Sequence, residues 1–180
     1  PKVATPAALT FGEITSGSIS KPGESLRYNF TLTAQTRVVL EAGTSSVSAY
    51  WSLFGPRGNE VSSRNIATPW VMDLPAGNYD LSIAADGLAT GTYRFRISDA
   101  AMLDSVQPDT PVQMSIGARE GVARQLTIPD TGDFVYDAIG TSNTYAYWLL
   151  LNERGQSVAS GGTTTDTSRF TLAAGKYYLM

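Results

Sequence analysis

Three aspartates in one short segment are the residues of this chain whose types and spacing could do chemistry. Asp130, Asp133 and Asp137 lie around the sequence Pro129-Asp130-Thr131-Gly132, and together they could offer carboxylate oxygens, the ligands that Ca²⁺ prefers. Neither an EF-hand nor a nonapeptide calcium spacing is present, and Asp-Thr-Gly-Asp is ordinary turn chemistry. We therefore expect a turn and no cofactor here, and we keep calcium as the alternative.

Aromatic residues form a second candidate site, an exposed platform for a ligand. Its members are Tyr50, Trp70, Tyr145 and Tyr147. Tyr50 and Tyr147 each precede a tryptophan, and successive residues of a strand point to opposite faces, so these two rings are expected to face water. Trp70 is in phase with Met72 and Leu74, which makes burial under a sheet edge the stronger alternative for it.

The chain contains no cysteine and no histidine. Their absence excludes thiol nucleophiles, Ser-His-Asp triads and zinc fingers. Paired carboxylates could run a glycosidase, and Lys21 or Lys176 could activate a serine, but neither arrangement has a supporting motif. Other acidic residues, among them Glu41 and Glu60, are interpreted as solvated. The composition therefore predicts a protein that is not an enzyme.

The charge balance argues against two classes of partner. The chain carries 13 Lys and Arg against 16 Asp and Glu, a net charge of −3, so no basic field attracts nucleic acid or an anionic membrane surface. No apolar run approaches the length of a transmembrane helix. We therefore predict neither nucleic-acid binding nor membrane insertion.

One stretch occurs twice and organises the rest of the chain. Tyr50–Val61 (YWSLFGPRGNEV) returns as Tyr147–Val158 (YWLLLNERGQSV), at a constant spacing of 97 residues. A fixed spacing of this size indicates a fold that was built twice from one unit. Because Trp51 and Trp148 occupy the same position of the repeated strand, we expect both of them in hydrophobic cores.

Alternation of apolar and polar residues predicts strands throughout the chain. The clearest example is 26–32, where every second residue is apolar, the period of a strand with one face in a core. Short strands separated by turns every 8–12 residues or so, with no helix of normal length, predict an all-β, antiparallel sandwich of jelly-roll type. We expect two such domains in tandem, with a linker over residues 1–8, a first sandwich over 9–100 and a second over 101–180.

The second copy is expected to lack its last strand. The first copy closes with an alternating stretch over 92–97, whereas Met180 aligns with Ser82 and no counterpart of that stretch follows. A sandwich without this strand exposes ladder groups and part of its apolar core. We expect a truncated chain, with donation of the strand by a neighbouring molecule as the alternative.

Four strand-and-turn motifs carry a resemblance to a known family. They are residues 28–32 (YNFTL), 51–58 (WSLFGPRG), 74–81 (LPAGNYDL) and 90–96 (TGTYRFR). In this order they resemble the bacterial pre-peptidase C-terminal domain, above all its tandem forms in very large secreted or surface-attached proteins. The resemblance implies a jelly-roll sandwich, secretion and a non-catalytic accessory role.

Some members of that family bind calcium or extracellular polymers such as collagen or polysaccharide. An acidic pair often precedes their central strand, and Val47-Ser48-Ala49 stands at that place here. The resemblance therefore does not carry the calcium site to this chain.

The function expected from these observations is that of a spacer or adhesive array in a large bacterial extracellular protein, secreted or attached to the cell surface. The alternative is a glycan- or matrix-protein-binding accessory module of a secreted peptidase. The expected partners are neighbouring repeats of the same polypeptide and an extracellular glycan or matrix protein.

Overall fold

The computed structural model describes residues 5–115, 120–139 and 146–180. Their regular secondary structure consists of strands and one 3₁₀ turn over Ala100–Met102. They divide into two compact units. The first unit holds the described residues up to Ala101 together with Glu120 and Gly121, and the second holds Met102–Ser115 and the described residues from Val122 onward.

The first unit contains nine strands in two sheets. In chain order the strands are β1 (Ala7–Ala8), β2 (Ile14–Ile19), β3 (Ser25–Leu32), β4 (Thr36–Ala42), β5 (Ala49–Gly55), β6 (Gly58–Asn65), β7 (Trp70–Leu74), β8 (Gly77–Ala85) and β9 (Gly91–Asp99). The five-stranded sheet has the order β1-β3-β8-β5-β6, and the four-stranded sheet has the order β2-β9-β4-β7. All pairs are antiparallel except β1 with β3.

This topology confirms the predicted jelly roll. From β2 to β9 the chain crosses repeatedly between the sheets, and the strand orders β3-β8-β5-β6 and β2-β9-β4-β7 are those of two interlocked Greek keys. The strand β1 is an addition at the edge, where Ala7 pairs with Tyr28. The last two residues of the predicted linker therefore belong to the sheet.

The core lies between the two sheets, and alternation in the sequence explains it. In β5 the residues Ala49, Trp51 and Leu53 are buried, because every second side chain of a strand points to the same face. Aromatic rings contribute much of the apolar area: Phe30 stacks on Tyr79 with ring centroids 4.9 Å apart. The prediction that Trp51 is a core residue is confirmed.

Short turns join these strands. Gly55 pairs with Gly58 at the end of the β5–β6 hairpin, so Pro56 and Arg57 form the turn. The turn before β8 requires a glycine, because Gly77 has φ of 148° and a Cβ there would overlap Pro56. After this turn the Tyr79 hydroxyl donates a hydrogen bond to the carbonyl oxygen of Pro75 at 2.6 Å.

The second unit contains seven strands. They are β10 (Ser105–Val106), β11 (Arg124–Ile128), β12 (Gly132–Phe134), β13 (Tyr147–Asn152), β14 (Ser157–Gly162), β15 (Phe170–Leu172) and β16 (Gly175–Leu179). Its five-stranded sheet has the order β10-β11-β16-β13-β14, the order of the first unit's sheet, and its first pair is again parallel. Trp148 lies on β13, between β16 and β14, and is 5% exposed, so its predicted core position is confirmed.

Local details of the first unit recur in the second. The Tyr177 hydroxyl donates to the carbonyl oxygen of Ala173 at 3.0 Å, as Tyr79 does to Pro75. Gly155 has a positive φ of 71°, and its counterpart Gly58 has φ of 89°.

The second sheet of the second unit is much smaller. It consists of β12 and β15, which pair antiparallel as β4 and β7 do. Within the described residues of this unit there is no strand in the place of β2 or β9. In the part of the second unit that the structure describes, this sheet therefore has two strands where the first unit has four.

Candidate functional site

The outer face of the first unit's five-stranded sheet carries two aromatic rings. Tyr50, Ser52 and Phe54 alternate along β5 with the buried residues of that strand. Tyr50 is partly buried, whereas Phe54 is clearly exposed, at 50% of its surface. Phe54 therefore presents a large apolar area to solvent on an interior strand of the sheet. Four residues of strand separate the two rings by about 13 Å. We call Tyr50, Phe54 and the polar pair described next the aromatic face.

A charged pair lies beside these rings. Asp80 of β8 is the direct neighbour of Phe54, and Arg27 of β3 binds its carboxylate through both Nε, at 3.0 Å, and Nη2. Hydrogen bonding to Asp80, together with the charge attraction, raises the pKa of Arg27. Because both groups are partly exposed, they also have hydrogen-bonding capacity toward a ligand.

Trp70 lies away from this face, at an open side of the sandwich where β6 and β7 are edge strands. It is half-buried and packs against the core, and the guanidinium carbon of Arg64 lies 3.3 Å from the centroid of its ring. The outer surface of the ring is therefore occupied by a cation of the same protein. The structure does not bring Trp70 together with Tyr50.

A bulge in β6 positions Arg64. The register against β5 shifts between Trp51 and Leu53, and Ser63 has φ of 47°, which is uncommon for a residue other than glycine. The Ser63 N–H donates to Ser52 Oγ at 3.1 Å, a bond that holds the strained residue in place. Bulges redirect the side chains that follow them, and here the next side chain is that of Arg64.

The other two aromatic candidates belong to the second part of the chain. Tyr147 begins β13 and is 80% exposed. Its direct neighbour on β14 is Gly162, which has no side chain to cover the ring. Tyr145 lies outside the described residues.

The three candidate calcium ligands are not brought together. Asp130, Asp133 and Asp137 are all exposed, and Asp133 accepts a hydrogen bond from Thr171 Oγ1 at 2.7 Å on the neighbouring strand. Across residues 5–115, 120–139 and 146–180, no group of three carboxylates is close enough to hold a metal ion.

Two acidic residues interpreted as solvated are in fact covered, so that interpretation is wrong. Glu41 is 4% exposed; its Oε1 accepts from Ser98 Oγ at 2.8 Å and its Oε2 pairs with Arg96 Nη1 at 3.2 Å. The sequence offered only a weak signal for this pair, because Glu41 and Arg96 are 55 residues apart and meet through the register of β4 and β9.

Glu60 is the second of these residues. It accepts from the Arg57 backbone N–H at 3.0 Å and from Arg57 Nε at 2.8 Å. Desolvation acts to raise the pKa of Glu60, but the bonds and charge of Arg57 outweigh it, so that the pKa lies below its usual value. This pair stabilises the β5–β6 turn.

Comparison with known proteins gives structural neighbours only. No protein-family model matches the sequence, and no curated protein matches it significantly. The solved structures that resemble this chain include the pre-peptidase C-terminal domain of a collagenase from Bacillus anthracis, at 12% identity and a TM-score of 0.44, covering 52% of this chain and 95% of that domain.

Two further neighbours are periplasmic inhibitors of g-type lysozyme, named PliG. The Aeromonas hydrophila protein is 16% identical with a TM-score of 0.44, over 52% of this chain and 95% of its own. The Salmonella Typhimurium protein is 16% identical with a TM-score of 0.39, over 53% of this chain and all of its own. No helix in the described residues has the length and apolar character needed to cross a membrane.

Proposed function

We propose that this chain is a non-catalytic structural module of a secreted or surface-attached bacterial protein, where it acts as a spacer or as part of an adhesive array. The observation that carries the proposal is the recurrence of one strand order, β1-β3-β8-β5-β6 and β10-β11-β16-β13-β14, in two consecutive units. Repeated units that each bury their own core are the usual way to build length into a protein.

Cross-strand charge pairs support this proposal. Arg37 of β4 binds the Asp73 carboxylate of β7 through Nε at 2.7 Å and Nη2 at 2.9 Å. The Arg27–Asp80 pair joins β3 to β8 in the same two-pronged manner. Such bonds tie neighbouring strands side by side, and a module that transmits tension benefits from strands that do not separate one at a time.

Single-molecule pulling tests the structural role. The protein should be placed between well-characterised marker domains and stretched by atomic force microscopy. We expect the first unit to unfold in one cooperative event that releases about 300 Å of chain, the extended length of roughly 90 residues. Gradual lengthening at low force, without such an event, would contradict a load-bearing spacer.

A second candidate function is recognition of an extracellular glycan or matrix protein, favoured by the exposure of Phe54 on the aromatic face. Aromatic rings next to hydrogen-bonding groups suit ligands that combine flat apolar surfaces with hydroxyl groups, as sugars do. Tyr50, Phe54, Arg27 and Asp80 supply both kinds of contact on one surface.

A binding screen distinguishes the two functions. A multimer of the folded protein, which compensates for weak single-site binding, is applied to glycan and matrix-protein arrays with calcium and again with chelator. Binding that is lost in Phe54→Ala and Tyr50→Ala but kept in the control Tyr147→Ala would support recognition by the aromatic face. Absence of binding by folded protein would refute recognition and leave the spacer function.

A further inference from the structure

A cavity lies between the two sheets of the first unit, on the side where β6 and β7 are edge strands. Apolar side chains of both sheets line it, among them Leu53 and Leu81 from one sheet and Val38, Met72 and Ile97 from the other. With its open end the cavity comprises about 280 Å³ of space, and its interior has room for about one water molecule. Because apolar walls offer water no hydrogen bonds, the cavity favours a hydrocarbon guest.

Two side chains form the outer end of this cavity. Trp70 and Met72 are the lining residues that are partly exposed, whereas the rest of the lining is buried. Trp70 is the first residue of the edge strand β7, and Met72 has a flexible, unbranched side chain. A guest larger than water therefore enters by displacing these two side chains outward.

Arg64 lies at this entrance without a carboxylate partner among the described residues. Its guanidinium carbon is instead 3.3 Å from the centroid of the Trp70 ring. Each of the other arginines described in the first unit pairs with an acid: Arg27 with Asp80, Arg37 with Asp73, Arg57 with Glu60, Arg94 with Glu120 and Arg96 with Glu41. The charge of Arg64 therefore remains available for an external anion at the mouth of an apolar cavity.

The backbone is strained where it positions this cation. Ser63, the residue before Arg64, has φ of 47°, and a conformation of this kind costs free energy that the rest of the fold must supply. Such outliers cluster at ligand-binding sites. Since Arg64 makes no salt bridge within the described residues, its placement at the cavity mouth is what the strain achieves.

The ring beneath this cation also has an unused donor. Trp70 Nε1 is buried and has no acceptor among the described residues. The indole nitrogens of Trp51 and Trp148 also lack an acceptor, but these two occupy the repeated core position, whereas Trp70 lies against a cation at an opening. An anion bound by Arg64 would lie beside the Trp70 donor and could accept its hydrogen bond.

We propose that the first unit binds an unbranched fatty acid, in its carboxylate form, at this place. The hydrocarbon chain enters between the sheets and displaces the side chains of Trp70 and Met72 outward. The carboxylate binds the guanidinium of Arg64 and accepts a hydrogen bond from Trp70 Nε1. This inference does not depend on the function proposed above, because it rests on the cavity and on the unpaired charge of Arg64.

The probe for this site is decanoate, used below its micelle concentration and followed by NMR of the intact chain with ¹³C-methyl methionine. Met72 lines the cavity, whereas Met102 does not line it and is 83% exposed, so its methyl signal is the internal reference. We expect a saturable shift of the Met72 signal and none of the Met102 signal. Decan-1-ol, which has the same chain and a neutral head, should bind about tenfold more weakly, the worth of one charge-assisted hydrogen bond.

Variants of Arg64 test whether this residue selects the anion. Arg64→Gln should weaken binding of decanoate about tenfold and leave binding of decan-1-ol unchanged, so that the preference disappears. Arg64→Lys, which keeps the charge, should retain most of the preference. The control Arg94→Gln removes an arginine that is partly exposed and does not line this cavity, and it should bind both compounds as the unaltered protein does.

Three results would overturn the proposal. One is the absence of a saturable Met72 shift in protein whose fold is intact. Another is equal affinity of the unaltered protein for decanoate and decan-1-ol, a comparison that decides the matter even where a variant fails to fold. The third is a shift of Met102 as large as that of Met72, which would show unspecific association of the hydrocarbon chain.

Discussion

At the scale of single residues, carboxylates with similar sequence surroundings have different environments. Glu41 is almost fully buried and satisfied by Arg96 and Ser98, whereas its counterpart Asp137 is exposed. A buried charge is tolerated only when it is paired and hydrogen-bonded. Glu41 is therefore tolerated in the core because β9 supplies its partners.

Glu60 makes the stability of the first unit depend on pH. Its pKa is lowered in the folded state, so it stabilises the fold fully above the unfolded value of about 4.3 and loses that contribution as pH falls through the folded pKa. We expect Glu60→Gln to flatten the loss of stability as pH falls below about 4.3, measured by urea unfolding. Arg57→Ala, which removes the partner instead, should flatten the same region in part. An unchanged slope in both variants would refute the pairing.

Gly17 is required by a close approach of two tyrosines. A Cβ at this position would lie 2.8 Å from the Tyr28 hydroxyl and closer still to Tyr93, whose hydroxyls are hydrogen-bonded to each other at 2.8 Å in the core. We expect Gly17→Ala to destabilise the protein by about 1 to 3 kcal/mol through overpacking. Gly162→Ala, where a Cβ meets nothing within 4 Å, is the control and should change the free energy of unfolding by less than about 0.5 kcal/mol.

At the scale of elements, the bulge in β6 and the edge strand β7 close one side of the first sandwich together. Ser63 adopts a positive φ, Arg64 follows it, and the guanidinium covers the ring of Trp70. The ring in turn covers apolar residues of the core. The strained conformation of Ser63, held by its hydrogen bond to Ser52, thus places Arg64 where it covers the open edge of the sandwich.

Trp70 should behave as a structural residue. We expect Trp70→Ala to lower the free energy of unfolding by about 2 to 3 kcal/mol, near the lower end for a buried tryptophan because the ring is only half-buried. Arg64→Ala should cost about 0.5 to 1 kcal/mol, the contribution of an exposed cation–π contact. If Trp70→Ala instead leaves urea unfolding unchanged and removes ligand binding, the residue belongs to a binding site.

At the scale of the whole molecule, each unit has its own five-stranded sheet with the same strand order, and the units differ in their second sheet. Both have a five-stranded sheet of the same order, with a buried tryptophan on the strand next to one edge, β5 or β13. The second sheet has four strands in the first unit and two in the second. Since small sheets depend on packing and on paired edges for their stability, the units are expected to differ in local stability.

Hydrogen exchange measures this difference directly. We expect the amides of β12 and β15 to exchange at least tenfold faster than those of β4 and β7, because opening a two-stranded sheet with a free edge breaks fewer bonds. Exchange followed by mass spectrometry compares these segments within one sample, so each unit serves as the reference for the other. Equal protection in both sheets would contradict the structure of the second unit.

Local pattern alone was enough to predict several features of this protein. Alternation predicted the strands, and the recurrence at 97 residues predicted that Trp51 and Trp148 occupy one place in two similar sheets. Turn residues such as Gly58 indicate where hairpin turns lie. These features are predictable because strand period and turn geometry depend on residues that are adjacent in the sequence.

Which residues meet depends on the tertiary fold. Strand order and register bring Glu41 to Arg96, and a bulge turns Arg64 onto Trp70, whereas Asp137, at the position that corresponds to Glu41, is exposed. A shift of one residue in any of these pairings would turn the side chains to the opposite face. The strands and their faces follow from local pattern, whereas partners across sheets depend on long-range packing that no local pattern encodes.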